Sequence, residues 1–199
     1  MTTLRHAAIV LAAGASRRLG TPKQLLHVDG ETLLHRAARI ALATAPTQTL
    51  VMLGADAAVM REAVADLDVR SVVCDDWRRG QSASLQAGVS ALEDGIEGVL
   101  VLLCDQVGLD AAHANTLLQA WHDEPTRAVA SAYADVIGVP AVLPRTWFAD
   151  VLQLQGDRGA RDLLRRRDAE VVKIAAPALA RDVDTPRDAR VVTRKRTAE

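Results

Sequence analysis

The chain has 199 residues and 49% of them are apolar, so it is long enough and apolar enough for one domain with a substantial core. Its formal net charge of −1 gives no overall positive field that would attract nucleic acid. Aromatic residues make up only 3% of the chain, which argues against proteins that stack RNA bases or single-stranded DNA.

The first predicted element is the apolar run AAIVLAA at 7–13, which is typical of a strand covered on both faces. Arg5 and His6 before it give a faint likeness to a signal peptide. The run is short, however, and Arg17 and Arg18 follow it closely, so we interpret it as a buried strand. No apolar run is long enough to span a membrane, and we expect a cytoplasmic protein.

Helical and extended patterns alternate along the rest of the chain. The patterns predict helices at 31–43, 56–65, 82–92 and 110–121, and strands at 49–54, 69–74, 98–105 and 127–133. The later part is less regular, with GVPAVLP at 138–144, helices near 146–154 and 160–167, and a strand at 170–175. The alternation predicts a three-layer α/β/α sandwich with a mostly parallel, Rossmann-like sheet. We expect one domain over residues 1–199, with a frayed tail from about residue 190.

Ligands of such folds bind beyond the carboxyl ends of the strands. This rule selects the loops after Ala13, Cys74 and Cys104. The two cysteines lie in apolar surroundings and have no CxxC partner. We therefore interpret them as reduced core thiols, not as a disulfide or a zinc site.

The first of these loops belongs to LAAGASRRLGTPK at 11–23. Its spacing fits neither a Walker A loop nor the GxGxxG motif. Gly14 and Gly20 let backbone N–H groups approach phosphate oxygens, and Arg18 and Lys23 add positive charge. An ordinary strand-to-helix turn with solvated charges explains the same residues equally well.

Carboxylates mark two later positions. Asp105 ends the most apolar strand, where a charge without a partner is costly and Mg²⁺ would be a suitable partner. The alternative is that Asp105 caps the next helix, although Asp110 is better placed for that cap. Asp182 and Asp184 alternate in ARDVDTPRD at 180–188 and offer a second metal ligand. Sequence spacing does not show that this segment meets Asp105.

The segment RRGQSASLQAG at 78–88 begins a predicted helix. Gly80, Gln81 and Ser84 would place small polar groups and helix N–H donors near a base edge or an anion. A serine that caps the helix is the alternative, and it explains the segment when the segment is taken alone.

These four segments, in this order, resemble the MobA-like nucleotidyltransferases, and the branch they resemble most is the molybdenum cofactor cytidylyltransferases. The first loop is similar to the signature LAAGxSxRMGxxKxL, with Leu19 in place of Met. LLCDQ resembles the metal-binding strand end, and DVDTPRD the late acidic motif. GDRGAR at 156–161 and GVPAVLPRTWF at 138–148 resemble acceptor-side segments. Two departures are Val107, where Pro is frequent, and Val139, where His commonly precedes Pro140.

The resemblance implies that an acceptor phosphate attacks the α-phosphorus of a nucleoside triphosphate and that pyrophosphate leaves. Mg²⁺ would be the cofactor, held by Asp105 and Asp184. Lys23 would bind the α-phosphate and Arg18 the β- and γ-phosphates. These two residues and Asp105 are the implied catalytic set.

The resemblance also implies a set of nucleotide-binding residues. It consists of Leu11, Ala12, Ala13, Gly14, Ala15 and Ser16 on the first loop, and of Gly80, Gln81 and Ser84 facing the base. Guanine-transferring relatives typically carry Gly at the position of Ala13, so its methyl group favours CTP. The implied acceptor is a molybdopterin-type cofactor, with a molybdoenzyme or its chaperone as a candidate partner and neither nucleic acid nor membrane. The alternatives are another small phosphorylated acceptor, and a non-catalytic protein that binds and delivers nucleotide or cofactor to a molybdoenzyme.

Overall fold

A computed structural model describes residues 4–15 and 22–180 of the chain. Its strands are β1 (His6–Leu11), β2 (His27–Val28), β3 (Glu31–Thr32), β4 (Gln48–Leu53), β5 (Arg70–Val73), β6 (Gly98–Leu103), β7 (Ala128–Tyr133), β8 (Val136–Pro144) and β9 (Val171–Ala175). Its α-helices are α1 (Leu33–Leu42), α2 (Ala57–Glu62), α3 (Gln81–Ser90), α4 (Ala111–Asp123), α5 (Phe148–Leu152) and α6 (Ala160–Arg166). Apart from the short strands β2 and β3, which were not predicted, strands and helices alternate through β6 as predicted.

Seven of the strands form one sheet in the order β5-β4-β1-β6-β8-β7-β9. The pairs β1–β4, β1–β6, β4–β5 and β7–β9 are parallel, whereas β8 runs antiparallel to β6 and β7. The mostly parallel sheet is therefore confirmed. Strands β2 and β3 form a separate antiparallel pair beside it.

Strand β8 differs most from the predicted elements, because the sequence pattern predicted neither a strand nor a helix at 138–144. The segment contains Pro140, which cannot donate to a ladder, and proline weighs against a strand prediction. The register with β7 shifts between Ala130 and Ser131, so that Ala130 pairs with Ala141 and Ser131 pairs with Gly138. The shift leaves Pro140 outside the paired positions, which is how the strand accommodates it.

Alternate residues of the central strands pack on opposite faces of the sheet. Ala8 and Val10 of β1 join the core formed with α1 and α4, whereas Ile9 and Leu11 join the core formed with α3, α5 and α6. Each fully buried Leu or Ile contributes about 1.5–3 kcal/mol relative to an exposed one. Both faces are covered, which gives the three-layer α/β/α sandwich that the sequence predicts.

Helix boundaries follow local capping. The Thr32 hydroxyl accepts a hydrogen bond from the His35 N–H, so α1 begins at Leu33 and not at residue 31. The Asp110 carboxylate accepts from the His113 N–H at 2.8 Å and caps α4, as predicted. Within residues 4–15 and 22–180, no helix combines the length and apolar character that a membrane crossing requires.

Candidate active site

The crevice that the predicted motifs line lies where the sheet order reverses. The chain proceeds from β1 to β4 on one side, and β6 lies on the other side of β1. The chain therefore leaves the carboxyl ends of the neighbouring strands β1 and β6 toward opposite sides of the sheet, as expected for a ligand site of an open α/β sheet. A cavity of about 450 Å³ opens at this point. It is lined by Leu11, Ala12, Ala13, Gly14, Lys23, Gln24, Trp77, Arg78, Gly80, Gln81, Ser84, Leu103, Cys104, Asp105 and Asp157.

The buried side-chain amide of Gln24 fixes the loop after β1 by hydrogen bonds to its backbone. The Gln24 side chain donates to the carbonyl oxygens of Ala12 at 2.9 Å and Gly14 at 2.6 Å. A Cβ placed on Gly14 would meet no heavy atom of the described residues within 4 Å, so the fold does not require a glycine here. The space beside Gly14 faces the cavity, where a phosphate group could approach the backbone closely.

Lys23 and Asp105 meet in this crevice, although 82 residues separate them in sequence. The Lys23 ammonium donates to Oδ2 of Asp105. Oδ1 of the same carboxylate is buried and has no hydrogen-bond partner among residues 4–15 and 22–180. A buried carboxylate oxygen without a partner is costly, and a divalent cation would satisfy it. Asp110, not Asp105, caps α4, so the capping explanation of Asp105 is wrong.

The amino-terminal end of α3 forms another wall. The residue before the helix, Gly80, has φ of +108°, a conformation that favours glycine. Ser84 lies one turn into the helix and is buried. No serine side chain caps this helix; instead the Ser82 hydroxyl donates to the Gly156 carbonyl at 2.7 Å. The alternative of a serine cap is therefore wrong.

Trp77 and Arg78 form a further wall on the loop after Cys74, one of the three loops that the sequence selected, although neither is among the predicted site residues. The Trp77 side chain packs so closely on Gly54 that a Cβ there would lie 2.6 Å from the indole Cγ. The Arg78 guanidinium lies 4.6 Å from the centre of the Trp77 ring, in the geometry of a cation–π contact. Trp121 and Trp147 are both fully buried in the core, and of the three tryptophans only Trp77 lines the cavity.

The two cysteines are buried free thiols, as predicted. Burial, together with the adjacent Asp105 carboxylate, raises the pKa of Cys104 to about 12. This thiol lines the cavity but stays protonated near neutral pH, so it is not a nucleophile.

The cavity brings together nine of the predicted site residues: Leu11, Ala12, Ala13, Gly14, Lys23, Gly80, Gln81, Ser84 and Asp105. Ala15 is described but does not line it. Ser16, Arg18, Asp182 and Asp184 lie outside the described residues, as does the tail from residue 190. Six other lining residues were not among the predicted site residues, although Arg78 belongs to the RRGQSASLQAG segment and Asp157 to the GDRGAR segment noted above. They are Gln24, Trp77, Arg78, Leu103, Cys104 and Asp157.

Known proteins are similar to this chain over most of its length. A profile of the MobA-like NTP transferase domain matches residues 8–171. The purine catabolism protein PucB of Bacillus subtilis is 29% identical over 94% of this chain and 95% of its own length. Nicotine blue oxidoreductase of Paenarthrobacter nicotinovorans is 33% identical over 89% of this chain and 91% of its own length. A probable molybdenum cofactor guanylyltransferase of Rhodopirellula baltica is 28% identical over 94% of both chains.

Solved structures match over nearly the whole chain as well. Rv0371c of Mycobacterium tuberculosis is 32% identical with a TM-score of 0.85, covering 96% of this chain and 98% of that one. A structure of the same protein in complex with manganese is 28% identical by its alignment, with a TM-score of 0.80 over 96% and 98% of the two chains.

Proposed function

Because the chain belongs to the MobA-like NTP transferase family, we propose that it transfers a nucleoside monophosphate group to a phosphate of a small acceptor. An acceptor phosphate oxygen attacks the α-phosphorus of the NTP. The bond from that phosphorus to the oxygen of the β-phosphate breaks, and pyrophosphate leaves with the electron pair. The observation that carries the proposal is the contact of Lys23 with Asp105 beside the glycine loop, at the reversal of the sheet order.

The residues of this chain would act mainly by positioning and by charge. Lys23 would exchange its contact with Asp105 for the α-phosphate, where charge changes most during transfer. Arg18 would hold the outer phosphates. Backbone groups from Ala13 to Ser16 would line the triphosphate, and Gly80, Gln81 and Ser84 would face the base.

The carboxylate of Asp105 fits a divalent cation, since its buried Oδ1 has no partner within the described part of the chain. Asp184 is our candidate for the second ligand. Mg²⁺ bound there would neutralise charge on the α-phosphate and the leaving group. The manganese in the complex of the Mycobacterium tuberculosis protein supports a divalent cation in this fold.

CTP is the nucleotide that we favour. Ala13 lines the cavity and is only 6% exposed, and in our proposal its methyl group would lie beside the base. A purine is larger than a pyrimidine and would be crowded by that group. The name of the Rhodopirellula baltica relative indicates guanylyl transfer for that protein, so direct comparison of CTP and GTP is decisive.

For the acceptor, we favour a molybdopterin-type phosphate, which the names of the guanylyltransferase relatives support. Transfer to another small phosphorylated acceptor would use the same site. A non-catalytic delivery protein for a molybdoenzyme would need the cavity but not a lysine aimed at a metal-ligand carboxylate. The spacing of Gly14 and Gly20 does not match a dinucleotide motif, which favours a transferase over an oxidoreductase.

The test is pyrophosphate release from each of the four NTPs with Mg²⁺ and a set of phosphorylated acceptors that includes molybdopterin. We expect release with CTP and molybdopterin, and its loss in Asp105→Asn. Release with another acceptor would support the second alternative. Tight nucleotide binding without release from any pair would support the delivery protein, and absence of both binding and release would contradict the proposal.

A further inference from the structure

The loop between α5 and α6 places a carboxylate in the cavity. Asp157 lines the cavity together with Gly80 and Gln81. Its side chain lies so close to Gly80 that a Cβ there would be 2.6 Å from Oδ1 of Asp157. A carboxylate in a pocket for a polyanion is unfavourable unless it meets a hydrogen-bond donor or a cation.

This loop is locked onto the beginning of α3. The Gly156 carbonyl accepts hydrogen bonds from both the N–H of Ser82 at 3.2 Å and its hydroxyl at 2.7 Å. A Cβ on Gly159 would lie 2.1 Å from Oε1 of Gln81, so the glycine allows close packing there. These contacts lie on both sides of Asp157 and fix its backbone against the cavity wall.

The Asp157 side chain itself is exposed and forms no ion pair or hydrogen bond with the other residues that the structure describes. An ionised carboxylate only accepts hydrogen bonds, and its two oxygens can accept from two neighbouring donors. Phosphate groups offer no donor at neutral pH. The remaining donors of a nucleotide are the ribose hydroxyls and the amino or imino groups of the base.

The burial of the lining residues decides whether Asp157 meets the ribose hydroxyls or the amino and imino groups of the base. Ser84, which would face the base, is only 4% exposed and lies on the floor, whereas Asp157 is exposed at the rim. A flat, less polar base fits the floor, and the sugar between the base and the phosphates stays nearer the rim. Vicinal hydroxyl groups match the paired oxygens of a carboxylate, as in dinucleotide-binding folds that hold ribose through an acidic side chain.

We propose that Asp157 accepts hydrogen bonds from the ribose hydroxyls of the bound nucleotide and thereby makes the site select ribonucleotides over 2′-deoxyribonucleotides. The inference rests on the proposed function, because it requires a nucleotide in this cavity. It assigns Asp157 to substrate binding and leaves the acceptor unspecified.

The experiment measures dissociation constants by equilibrium dialysis for CTP, 2′-deoxy-CTP and UTP with Mg²⁺. The proteins are the wild type, Asp157→Asn and the matched control Asp162→Asn, since Asp162 lies on α6 and does not line the cavity. We expect the wild type and the control to bind CTP about 10-fold or more tightly than 2′-deoxy-CTP. In Asp157→Asn, CTP binding should weaken about 10-fold and the preference should largely disappear.

A preference for CTP over 2′-deoxy-CTP that persists in Asp157→Asn would overturn the assignment. Loss of discrimination between CTP and UTP, with the ribose preference intact, would also overturn it and place Asp157 at the base. If the wild type binds none of the three nucleotides, the proposed function fails together with the inference. Nucleotide binding by the wild type therefore distinguishes failure of the Asp157 assignment from failure of the proposed function.

Discussion

At the scale of single residues, the two oxygens of Asp105 have different surroundings. Oδ2 accepts from Lys23, whereas Oδ1 is buried without a partner in residues 4–15 and 22–180. The ion pair offsets the cost of burying the carboxylate, which explains how Asp105 is tolerated at a strand end. The second oxygen would accept the cation that we propose.

Asp105→Asn keeps the shape of the side chain but removes its charge. We expect turnover to fall about 100-fold or more, which corresponds to about 3 kcal/mol of transition-state stabilisation. Pyrophosphate release measures turnover, and circular dichroism checks that the variant is folded. Near-normal turnover would contradict the metal assignment. Of the two later carboxylates, Asp184→Asn should be inactive and Asp182→Asn active; the reverse result would show that the choice between them is wrong.

Lys23→Ala should lower kcat much more than it raises KM for the nucleotide. A contact that strengthens in the transition state affects kcat, while one that is equal in both states affects KM. Arg18→Ala is the matched comparison, and it should weaken nucleotide binding more evenly. Steady-state kinetics of both variants measures the difference. If Lys23→Ala turns over like the wild type, the first loop does not hold the triphosphate as proposed.

At the scale of elements, α4 packs on β6 through one tight contact. A Cβ on Gly98 of β6 would lie 2.4 Å from the ring of Trp121, which is fully buried. We expect Gly98→Ala to lower the free energy of unfolding by about 1–3 kcal/mol, because the added methyl group overpacks the core. Denaturant titration measures this change.

The control is Gly14→Ala, where a Cβ meets no described atom within 4 Å. The same substitution should leave the free energy of unfolding nearly unchanged at that position. Equal destabilisation by both substitutions would show that the loss of glycine flexibility, and not the contact between helix and strand, explains the effect of Gly98→Ala.

At the scale of the whole molecule, stability should depend on a buried histidine at the beginning of β1. The Thr44 hydroxyl donates a hydrogen bond to the Ala41 carbonyl. It therefore accepts one from Nε2 of His6, which carries the proton. Burial, with a smaller contribution from His122, lowers the pKa of His6 from 6.5 to about 4. The folded state therefore favours the neutral imidazole, and this histidine links global stability to pH.

Because the folded pKa is depressed, the contribution of neutral His6 is fully present above pH 6.5 and is lost as the pH falls toward about 4. His6→Gln keeps a hydrogen-bond donor but does not titrate. Between about pH 7.5 and 4.5, the wild type should lose about 2 kcal/mol more unfolding free energy than the variant. Denaturant titrations at the two pH values measure this difference. Parallel losses in the two proteins would contradict the assignment.

Short stretches of the sequence were enough to predict the buried thiols, the Asp110 cap, the layered α/β/α class, and the order of β1, β4, β5, β6 and β7 with the helices between them. These features depend on local apolar periodicity and on capping, which short stretches of sequence encode. The β2–β3 pair was not predicted, and the helix expected at 31–43 overlapped β3. The rule that ligands bind beyond parallel strands then selected three loops, after Ala13, Cys74 and Cys104, and the structure brings all three to one cavity. The resemblance of the motifs to a family added the proposed roles.

Which distant groups meet depends on the tertiary fold. It joins Lys23 to Asp105 across 82 residues, makes 136–144 a strand by pairing it around Pro140, and locks the loop of Asp157 onto α3. None of these features follows from local pattern, because each depends on contacts between segments far apart in the chain. Pro140 argues against a strand in the sequence, and only the pairing of its neighbours shows that 136–144 is one. Asp157 is one of many exposed aspartates in the sequence, and only the cavity beside it distinguishes it.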